Sequence, residues 1–246
     1  MKSIVLTIQP KQELIIPLSH YHALQGLVYE LISYDSALSM ELHNKKSGKT
    51  DALKLFCFSD LCGKYRYSDR TRTYPGPFRF EIRCAEDIIV DTIAERITHD
   101  PMIMVDGCVC RISDLITYSK SFLDTGLDLH MNTPISVYRT DCDKKRRYFS
   151  PEEDEFYELL SNNLKKKYSL IYGHAYGEEL LLSCPSPGRS KHVVARYKGD
   201  IVNAYYGDYR IEATPEMLAV AYYCGLGSKN SIGFGFAELR SEHHIN

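Results

Sequence analysis

The order of helix and strand patterns in the first half of the chain constrains its fold more than any other feature. Polar and apolar residues alternate over 3–9, which predicts a strand. A helix pattern follows Pro17-Leu18-Ser19, and a second is predicted over 85–98. In the first helix the apolar residues recur at spacings of three and four: Leu24, Leu27, Val28, Leu31 and Ile32. Both helices are therefore expected to bury one face.

Strand patterns lie between and after these two helices. Strands are predicted over 53–58, 64–67, 78–84 and 102–120. The two middle strands are expected to form an arm around the turn Tyr74-Pro75-Gly76-Pro77. The resulting order, β-α-β-β-α-β, is that of a ferredoxin-like domain.

The second half is predicted to repeat this order, although no residue-level repeat accompanies it. Ser150-Pro151 followed by two glutamates indicates a helix start with Ser150 as the N-cap, and this helix is expected to end near Lys167. Thr214-Pro215 indicates a second start of the same kind, with the end near Cys224. The strands of this half are predicted at 135–138, 180–184, 193–202 and 234–239.

The element order therefore predicts an α+β fold of two tandem ferredoxin-like (RRM-like, βαββαβ) domains, 1–122 and 123–246. No window holds the roughly 18 uncharged apolar residues of a membrane span. The apolar stretch at the N-terminus stops at Gln9, which is too short for a signal-peptide core, so we expect a cytoplasmic protein without membrane association.

Positive charge is concentrated in two parts of a nearly neutral chain. The chain has 30 Lys and Arg against 32 Asp and Glu, a net charge of −2. Residues 42–83 hold ten Lys or Arg and four Asp or Glu, a local net charge of +6. A second basic stretch without acids holds Arg189, Lys191, Arg196 and Lys198. Such clusters are typical either of solvated faces or of a surface that binds a polyanion.

The cysteines and histidines do not form a metal-binding pattern. The eight cysteines include no CxxC pair, and the closest two, Cys108 and Cys110, are spaced like residues on one face of a strand. We expect reduced, mostly packed thiols. The histidine pairs His20/His22 and His243/His244 are isolated from acids and thiols. The sequence therefore predicts neither a metal nor another cofactor.

The most specific local feature is a glycine-rich segment over 225–236, between the last predicted helix and the last strand. It holds four glycines, at 225, 227, 233 and 235, and they do not have the spacing of a nucleotide P-loop. Glycines allow close backbone approach, and Lys229, Asn230 and Ser231 add a charge and hydrogen-bonding groups. Such a segment suits either a phosphate backbone or a tight helix-to-strand turn.

This segment, with Gly-Phe-Gly at its end, resembles the C-terminal glycine-rich signature of the Cas6 family, the repeat-processing endoribonucleases of CRISPR antiviral defence. Residues 24–29 resemble the first helix of that family, and Leu42-His43 followed by 53–59 resembles its histidine loop and the strand after it. The resemblance extends from about residue 4 to residue 239. It implies two ferredoxin-like domains, in agreement with the order of elements, and metal-independent cleavage of CRISPR repeat RNA.

The resemblance also implies a catalytic set, because Tyr29, His43 and Lys54 match the family's Tyr, His and Lys. The ribose 2′-hydroxyl would attack the adjacent phosphate, with His43 as general acid or base and Lys54 as a cation for the phosphate. Tyr29 is expected to orient the 2′-hydroxyl. His20 and His22 are alternative imidazoles. Taken alone, Tyr29 suits a core position and His43 a surface loop.

The predicted RNA contacts come from the second half. They are Lys191, Arg196, Lys198, Gly227, Ser228, Lys229, Asn230, Ser231, Gly233 and Gly235. The resemblance implies that the partner is precursor CRISPR RNA. It is also compatible with a homodimer and with association with CRISPR effector proteins. The competing function is a non-catalytic RNA-binding subunit of an effector complex, which would not need the Tyr29, His43 and Lys54 set.

Overall fold

A computed structural model of the chain describes residues 1–33 and 55–240. The predicted catalytic residues His43 and Lys54 lie outside the described residues, and Tyr29 lies within them. The predicted strand over 53–58 is described from residue 55 onward, where Phe56–Phe58 is a strand.

The first half of the chain forms an antiparallel sheet with two helices packed on it. Its elements are β1 (Lys2–Pro10), β2 (Leu14–Pro17), α1 (Tyr21–Ile32), β3 (Phe56–Phe58), β4 (Cys62–Gly63), β5 (Arg66–Ser68), β6 (Thr71–Tyr74), β7 (Phe78–Cys84), α2 (Asp87–His99), β8 (Met102–Val105) and β9 (Cys108–Tyr118). The main sheet has the order β3-β7-β1-β9-β8, and β4 also pairs with β7. The first and third strands of the βαββαβ unit, β1 and β7, are therefore neighbours at its centre.

The two helices bury the faces that their periodicity predicts. All five apolar residues predicted for α1 are buried in the core of this half. In α2, Ile89, Val90, Ile93 and Ile97 are buried, whereas Ile88 is 55% exposed.

Two turns change how the predicted strands of the first half pair with one another. The segment 64–67 does not pair with β7 as a continuous arm: β4 pairs with β7, whereas β5 forms a hairpin with β6, which also pairs with β2. Asp69 and Arg70 make this hairpin turn with positive φ. The predicted strand over 102–120 is a hairpin, because Asp106-Gly107, a dipeptide favoured in two-residue turns, separates β8 from β9.

The second half repeats the topology with two inserted hairpins. Its elements are β10 (Gly126–Met131), β11 (Tyr138–Thr140), β12 (Arg146–Tyr148), α3 (Asp154–Tyr172), β13 (Leu181–Ser183), β14 (Lys191–Tyr197), β15 (Asp200–Tyr206), β16 (Asp208–Glu212), α4 (Pro215–Cys224) and β17 (Ala237–Leu239). The sheet order is β13-β16-β10-β17, with the first and third strands, β10 and β16, at the centre. The prediction of two tandem ferredoxin-like folds is confirmed. The hairpins β11–β12 and β14–β15 stand outside this sheet, and we propose the domain boundary at 122/123, between β9 and β10.

Three predicted elements of the second half are wrong. The strand predicted over 193–202 crosses the turn Lys198-Gly199 and is therefore divided between β14 and β15. The first strand is β10, in which Leu127, Leu129 and Met131 alternate with polar residues, and not 135–138, where Ile135 makes only an isolated bridge to Tyr205.

The helix predicted to start at Ser150 begins at Asp154, with Glu153 as its N-cap, and continues beyond Lys167 to Tyr172. The left-handed Gly173 ends it. Lys167 therefore lies inside α3. The helix start at Thr214 is confirmed, since Thr214 Oγ1 accepts a hydrogen bond from the Met217 N–H. No helix within 1–33 and 55–240 has the combined length and apolarity needed to cross a membrane.

A buried arginine joins the two halves of the chain. The guanidinium of Arg83, on β7, lies between the rings of Tyr222 and Phe236, with 3.7 and 4.0 Å from Cζ to the two ring centroids. It donates hydrogen bonds of 2.6 Å to the Ala237 carbonyl and to Glu81. Arg83 is 2% exposed, so the charge depends on these partners for its stabilisation.

We expect Arg83→Met to lower the free energy of unfolding by about 3–5 kcal/mol, because the change leaves the Glu81 carboxylate without its buried partner. The matched control is Arg79→Met, an exposed position of the same strand, which should change the unfolding free energy by less than about 1 kcal/mol. Urea unfolding followed by circular dichroism measures both. Equal destabilisation by the two variants would contradict this role for Arg83.

Candidate functional site

The glycine-rich segment connects α4 to β17 and folds back on itself. Leu226 N–H donates to the Gly235 carbonyl at 2.8 Å, which brings the two ends of the segment together. A Cβ atom on Gly235 would lie 1.9 Å from the Leu226 carbonyl oxygen, and one on Gly225 would lie 2.8 Å from the Gly235 oxygen. Both glycines also have positive φ. Only glycine fits these two positions, because the backbone itself occupies the space of a side chain.

A buried ammonium lies at the centre of this loop. Lys167 projects from α3 and is 7% exposed. Its Nζ lies 2.7 Å from the Gly225 oxygen, 3.1 Å from the Gly227 oxygen and 2.8 Å from Asn230 Oδ1, with the Cys224 oxygen at 3.4 Å. An ammonium has three N–H donors, and the three shorter contacts use all of them. Burial lowers the pKa of Lys167 to about 8, so the group is still mostly charged at neutral pH.

Asn230 completes the interior of the loop. While its Oδ1 accepts from Lys167, its Nδ2 donates to the carbonyls of Leu226 at 3.0 Å and Phe234 at 2.9 Å. Asn230 is 5% exposed, in contrast to the outward position expected from the sequence. Gly227, Gly233 and Gly235 are buried as well. These predicted contact residues shape the loop from inside.

The outer side of the loop is formed by Ser228, Lys229 and Ser231, which are partly exposed. Lys229 has a left-handed backbone with φ of 66°. Its Nζ lies 5.5 Å from the centroid of the Tyr138 ring. Burial, together with the positive charge of Arg146, lowers the pKa of Lys229. The loop therefore presents one cation and two hydroxyls outward.

Tyr29 and the outer side of the loop line one cleft of about 530 Å³ between the two halves of the chain. Gln25 and Tyr29 come from α1, and Lys166 comes from α3. The Tyr29 side chain is 37% exposed and packs edge-on against Phe56. Burial, with a smaller contribution from Tyr197, raises the pKa of Tyr29. The phenol is therefore neutral at physiological pH and can donate a hydrogen bond.

Hydrogen bonds across the cleft hold α1 against the second half. Gln25 Nε2 donates to the Ser231 carbonyl at 3.2 Å, and the Tyr197 hydroxyl donates to Gln25 Oε1. Ser19 Oγ donates to the Arg196 carbonyl at 2.8 Å. The position of Tyr29 relative to the loop thus depends on contacts made by its neighbours on α1.

The three predicted cations of the β14–β15 hairpin are all exposed, but they do not form one cluster. Arg196 and Lys198 lie next to Tyr197, which lines the cleft. Lys191 is at the other end of β14, about 16 Å away along the strand at roughly 3.3 Å per residue. Lys198 Nζ lies 5.5 Å from the centroid of the Tyr197 ring, whereas Arg196 projects from the opposite face of β14 and Lys191 lies at the far end of that strand.

The two alternative histidines have different surroundings. His20 is 5% exposed, and its ring nitrogens contact the Pro17 carbonyl at 2.9 Å and Asp60 Oδ1 at 2.7 Å. Asp60 also pairs with Arg72 at 2.7 Å. His22 is exposed on α1, seven residues before Tyr29, with its ring 6.3 Å from that of Tyr197. His20 is therefore part of a buried network, and His22 is the accessible imidazole.

The role of Lys167 is not predicted from the sequence, because the run Lys165–Lys167 is typical of an exposed helix end. Sequence reasoning also missed the basic residues of β11 and β12, which lie beside Lys229. Within 1–33 and 55–240, no group of three or more His, Cys, Asp or Glu side chains is arranged to hold a metal ion.

Comparisons with known proteins agree along nearly the whole chain. The sequence model of the family "CRISPR associated protein Cas6, C-terminal" matches residues 119–239. The CRISPR-associated endoribonuclease Cas6 1 of Methanocaldococcus jannaschii is 27% identical over 243 residues, which cover 94% of this chain and 90% of that protein. The CRISPR-associated endoribonuclease Cas6 of Pyrococcus furiosus is 26% identical over 235 residues, 91% of this chain and 83% of that protein.

Solved structures share the fold. A CRISPR associated protein Cas6 superposes with a TM-score of 0.80 at 23% identity, covering 97% of this chain and 98% of the other. An RAMP protein that binds different RNA substrates superposes with the same TM-score at 16% identity, covering 97% and 99%.

We expect Lys167→Met to lower the free energy of unfolding by about 1–3 kcal/mol, because it leaves buried loop oxygens without a donor. It should also speed hydrogen exchange of the amides over 225–236. The matched control is Lys165→Met, a partly exposed lysine two positions earlier on the same helix. Urea unfolding and hydrogen exchange measured by mass spectrometry test both effects. If the two variants exchange their loop amides at the same rate, Lys167 does not order the loop.

Proposed function

Because this chain belongs to the Cas6 family, we propose that it is an endoribonuclease that cleaves CRISPR repeat RNA in the precursor transcript and so produces guide crRNAs. The observation that carries the proposal is the shared cleft, in which Tyr29 faces the outer side of the glycine-rich loop. The relatives named as Cas6 endoribonucleases match this chain over almost its full length, which supports the same activity here.

We propose a cleavage step that needs no metal. The 2′-oxygen of one ribose attacks the adjacent phosphorus, the bond from phosphorus to the 5′-oxygen breaks, and the products carry a 2′,3′-cyclic phosphate and a 5′-hydroxyl. One group removes the 2′-hydroxyl proton and one supplies a proton to the 5′-oxygen. Positive charge stabilises the phosphorane.

Three side chains are proposed for these roles. His43 exchanges a proton, because an imidazole titrates near neutral pH. Lys54 supplies positive charge to the phosphate. Tyr29 orients the 2′-hydroxyl by hydrogen bonding, a role that its raised pKa supports, since the phenol keeps its proton. Leu55, the residue after Lys54, lines the same cleft as Tyr29.

The RNA is proposed to run over the outer side of the glycine-rich loop. Ser228, Lys229 and Ser231 offer hydroxyl and ammonium donors to phosphate oxygens. Arg196 and Lys198 extend this surface along the β14–β15 hairpin, and Lys191 lies at its far end. The buried Asn230 and glycines contribute by giving the loop its shape.

We expect the purified protein to cleave repeat RNA in the presence of excess EDTA, because none of the proposed steps uses a metal ion. A substrate with a 2′-deoxyribose immediately 5′ of the cut should bind with unchanged affinity and remain intact, since it lacks the attacking oxygen. Denaturing gels and a binding assay measure the two properties. Cleavage of the deoxy substrate would exclude attack by the 2′-hydroxyl.

The same assay separates the competing function. Tight binding of repeat RNA without cleavage, with or without Mg²⁺, would indicate a non-catalytic RNA-binding subunit of an effector complex. Cleavage only after addition of Mg²⁺ would contradict metal independence while leaving the endoribonuclease activity in place.

We expect His43→Ala to reduce the single-turnover cleavage rate by roughly 10²–10⁴-fold, the usual scale for loss of a general acid or base, with little change in RNA affinity. His22→Ala is the matched control, because His22 is the accessible imidazole of α1, and it should retain the parent rate. If His22→Ala cleaves slowly and His43→Ala cleaves at the parent rate, the proton-transfer role belongs to His22. Tyr29→Phe, which removes only the hydroxyl, should cleave more slowly than the parent.

A further inference from the structure

The hairpin β11–β12 carries an exposed excess of positive charge. Residues 139–147 hold five Lys or Arg and two Asp, a net charge of +3, and all nine residues are exposed. Asp141 is used within the turn, where its Oδ1 accepts from the Lys145 N–H at 2.7 Å. Positive charge is therefore the main chemical property of this hairpin.

Two arginines of the hairpin oppose each other directly. Arg139 on β11 pairs in register with Arg147 on β12. Both guanidinium groups lie over the Phe149 ring, with Cζ 5.6 and 4.7 Å from its centroid. Arg147 reaches Glu153 at 3.0 Å, whereas no carboxylate within 1–33 and 55–240 pairs with Arg139. Like charges opposed across two strands repel, and a bound anion would remove that cost.

The other face of the hairpin continues into the cleft. Tyr138 is a lining residue of the cleft, and its ring lies 5.5 Å from Lys229 Nζ and 5.7 Å from Arg146 Cζ. Arg146 is held by Asp200 at 2.7 Å, at the start of β15. The hairpin is thus connected to the glycine-rich loop through one aromatic ring. Arg139 and Arg147 project from the opposite face, so a strand that leaves the cleft past Lys229 would meet them after passing around the hairpin.

We propose that the β11–β12 hairpin binds the phosphodiester backbone of the RNA outside the cleft, with Arg139 and Arg147 as its phosphate contacts. The proposal rests on the proposed function, since the RNA in question is the one held in the cleft. Guanidinium groups pair with phosphate oxygens through two parallel N–H donors, and the shared aromatic ring holds them in place for this. The position of the hairpin beside the cleft, where Tyr138 contacts Lys229, favours RNA over an acidic protein.

The test compares the double variant Arg139→Gln/Arg147→Gln with the control Lys11→Gln/Arg111→Gln, which removes the same charge from exposed positions on the first domain. The probe is a fluorescein-labelled RNA of one CRISPR repeat, about 30 nucleotides long, and Kd is measured by anisotropy over a range of salt concentrations. For the hairpin variant we expect Kd to rise by about tenfold and the slope of log Kd against log salt to fall by up to about 1.4, at 0.7 per lost phosphate contact. The control should keep the parent Kd and slope.

A third variant, Arg139→Lys/Arg147→Lys, keeps the charge and should recover most of the salt slope, which separates lost phosphate contacts from a misfolded hairpin. If the parent protein cleaves repeat RNA and the glutamine variant keeps the parent Kd and salt slope, the hairpin is not a binding site and the proposed function stands. A parent that neither binds nor cleaves the RNA overturns both. Loss of binding to labelled polyglutamate, with RNA binding unchanged, would assign the hairpin to an acidic protein and overturn the RNA site.

Discussion

The buried ammonium of Lys167 is the interaction on which the candidate site depends. A lysine at this depth would normally be unfavourable, because desolvation penalises its charge. Here three oxygens of one loop lie within 3.1 Å of Nζ, two of them main-chain carbonyls and one the Asn230 side chain. Gly225 and Gly227 lie outside any helix or strand, so the ammonium of Lys167 supplies the hydrogen bonds that their carbonyls would otherwise receive from a backbone partner. The polar groups that bind the loop to the protein are thereby directed inward, and Ser228, Lys229 and Ser231 are left to face the cleft.

The cleft also requires the two domains to keep their relative position, since α1 supplies Tyr29 and the second domain supplies the loop. The contacts that cross this interface include three at separate points. Gln25 binds the Ser231 carbonyl beside the cleft, Arg83 lies between two rings of the second domain, and the backbone N–H of Asp60 donates to Asn132 Oδ1 at 2.8 Å. Because Arg83 and the Asp60 network are largely buried, they hold the domains with little competition from water. Movement at the interface would change the distance from Tyr29 to the loop before it changed either domain.

The sequence predicts those elements of the structure that are determined by contacts between residues close together in the chain. Periodicity alone identified the buried face of α1, and Thr214-Pro215 identified the start of α4, because both signals act within one or two turns of helix. The alternation in β10 and the dipeptide Asp106-Gly107 are local signals of the same kind, and they mark a strand and a turn that the predicted strands over 135–138 and 102–120 do not include. The end of α3 was misplaced although Gly173 marks it, since the run of lysines suggested an earlier end. The partners of Lys167 could not be predicted in this way, because they are about 60 positions later in the chain and charged side chains are ordinarily exposed.

The net charge of a sequence segment also does not predict how much charge reaches the surface, and this difference matters for RNA binding. The sum over 42–83 is +6, but several of its cations are already engaged: Arg83 is buried between two rings, Arg72 pairs with Asp60, and Arg66 pairs with Glu13 at 2.6 Å. The smaller excess over 139–147 is entirely exposed and includes two arginines placed opposite each other. A polyanion responds to the charge that reaches solvent and to its spacing, not to the sum along the chain. The described part of the more basic segment therefore offers fewer phosphate contacts than its composition suggests, and the hairpin beside the glycine-rich loop offers more.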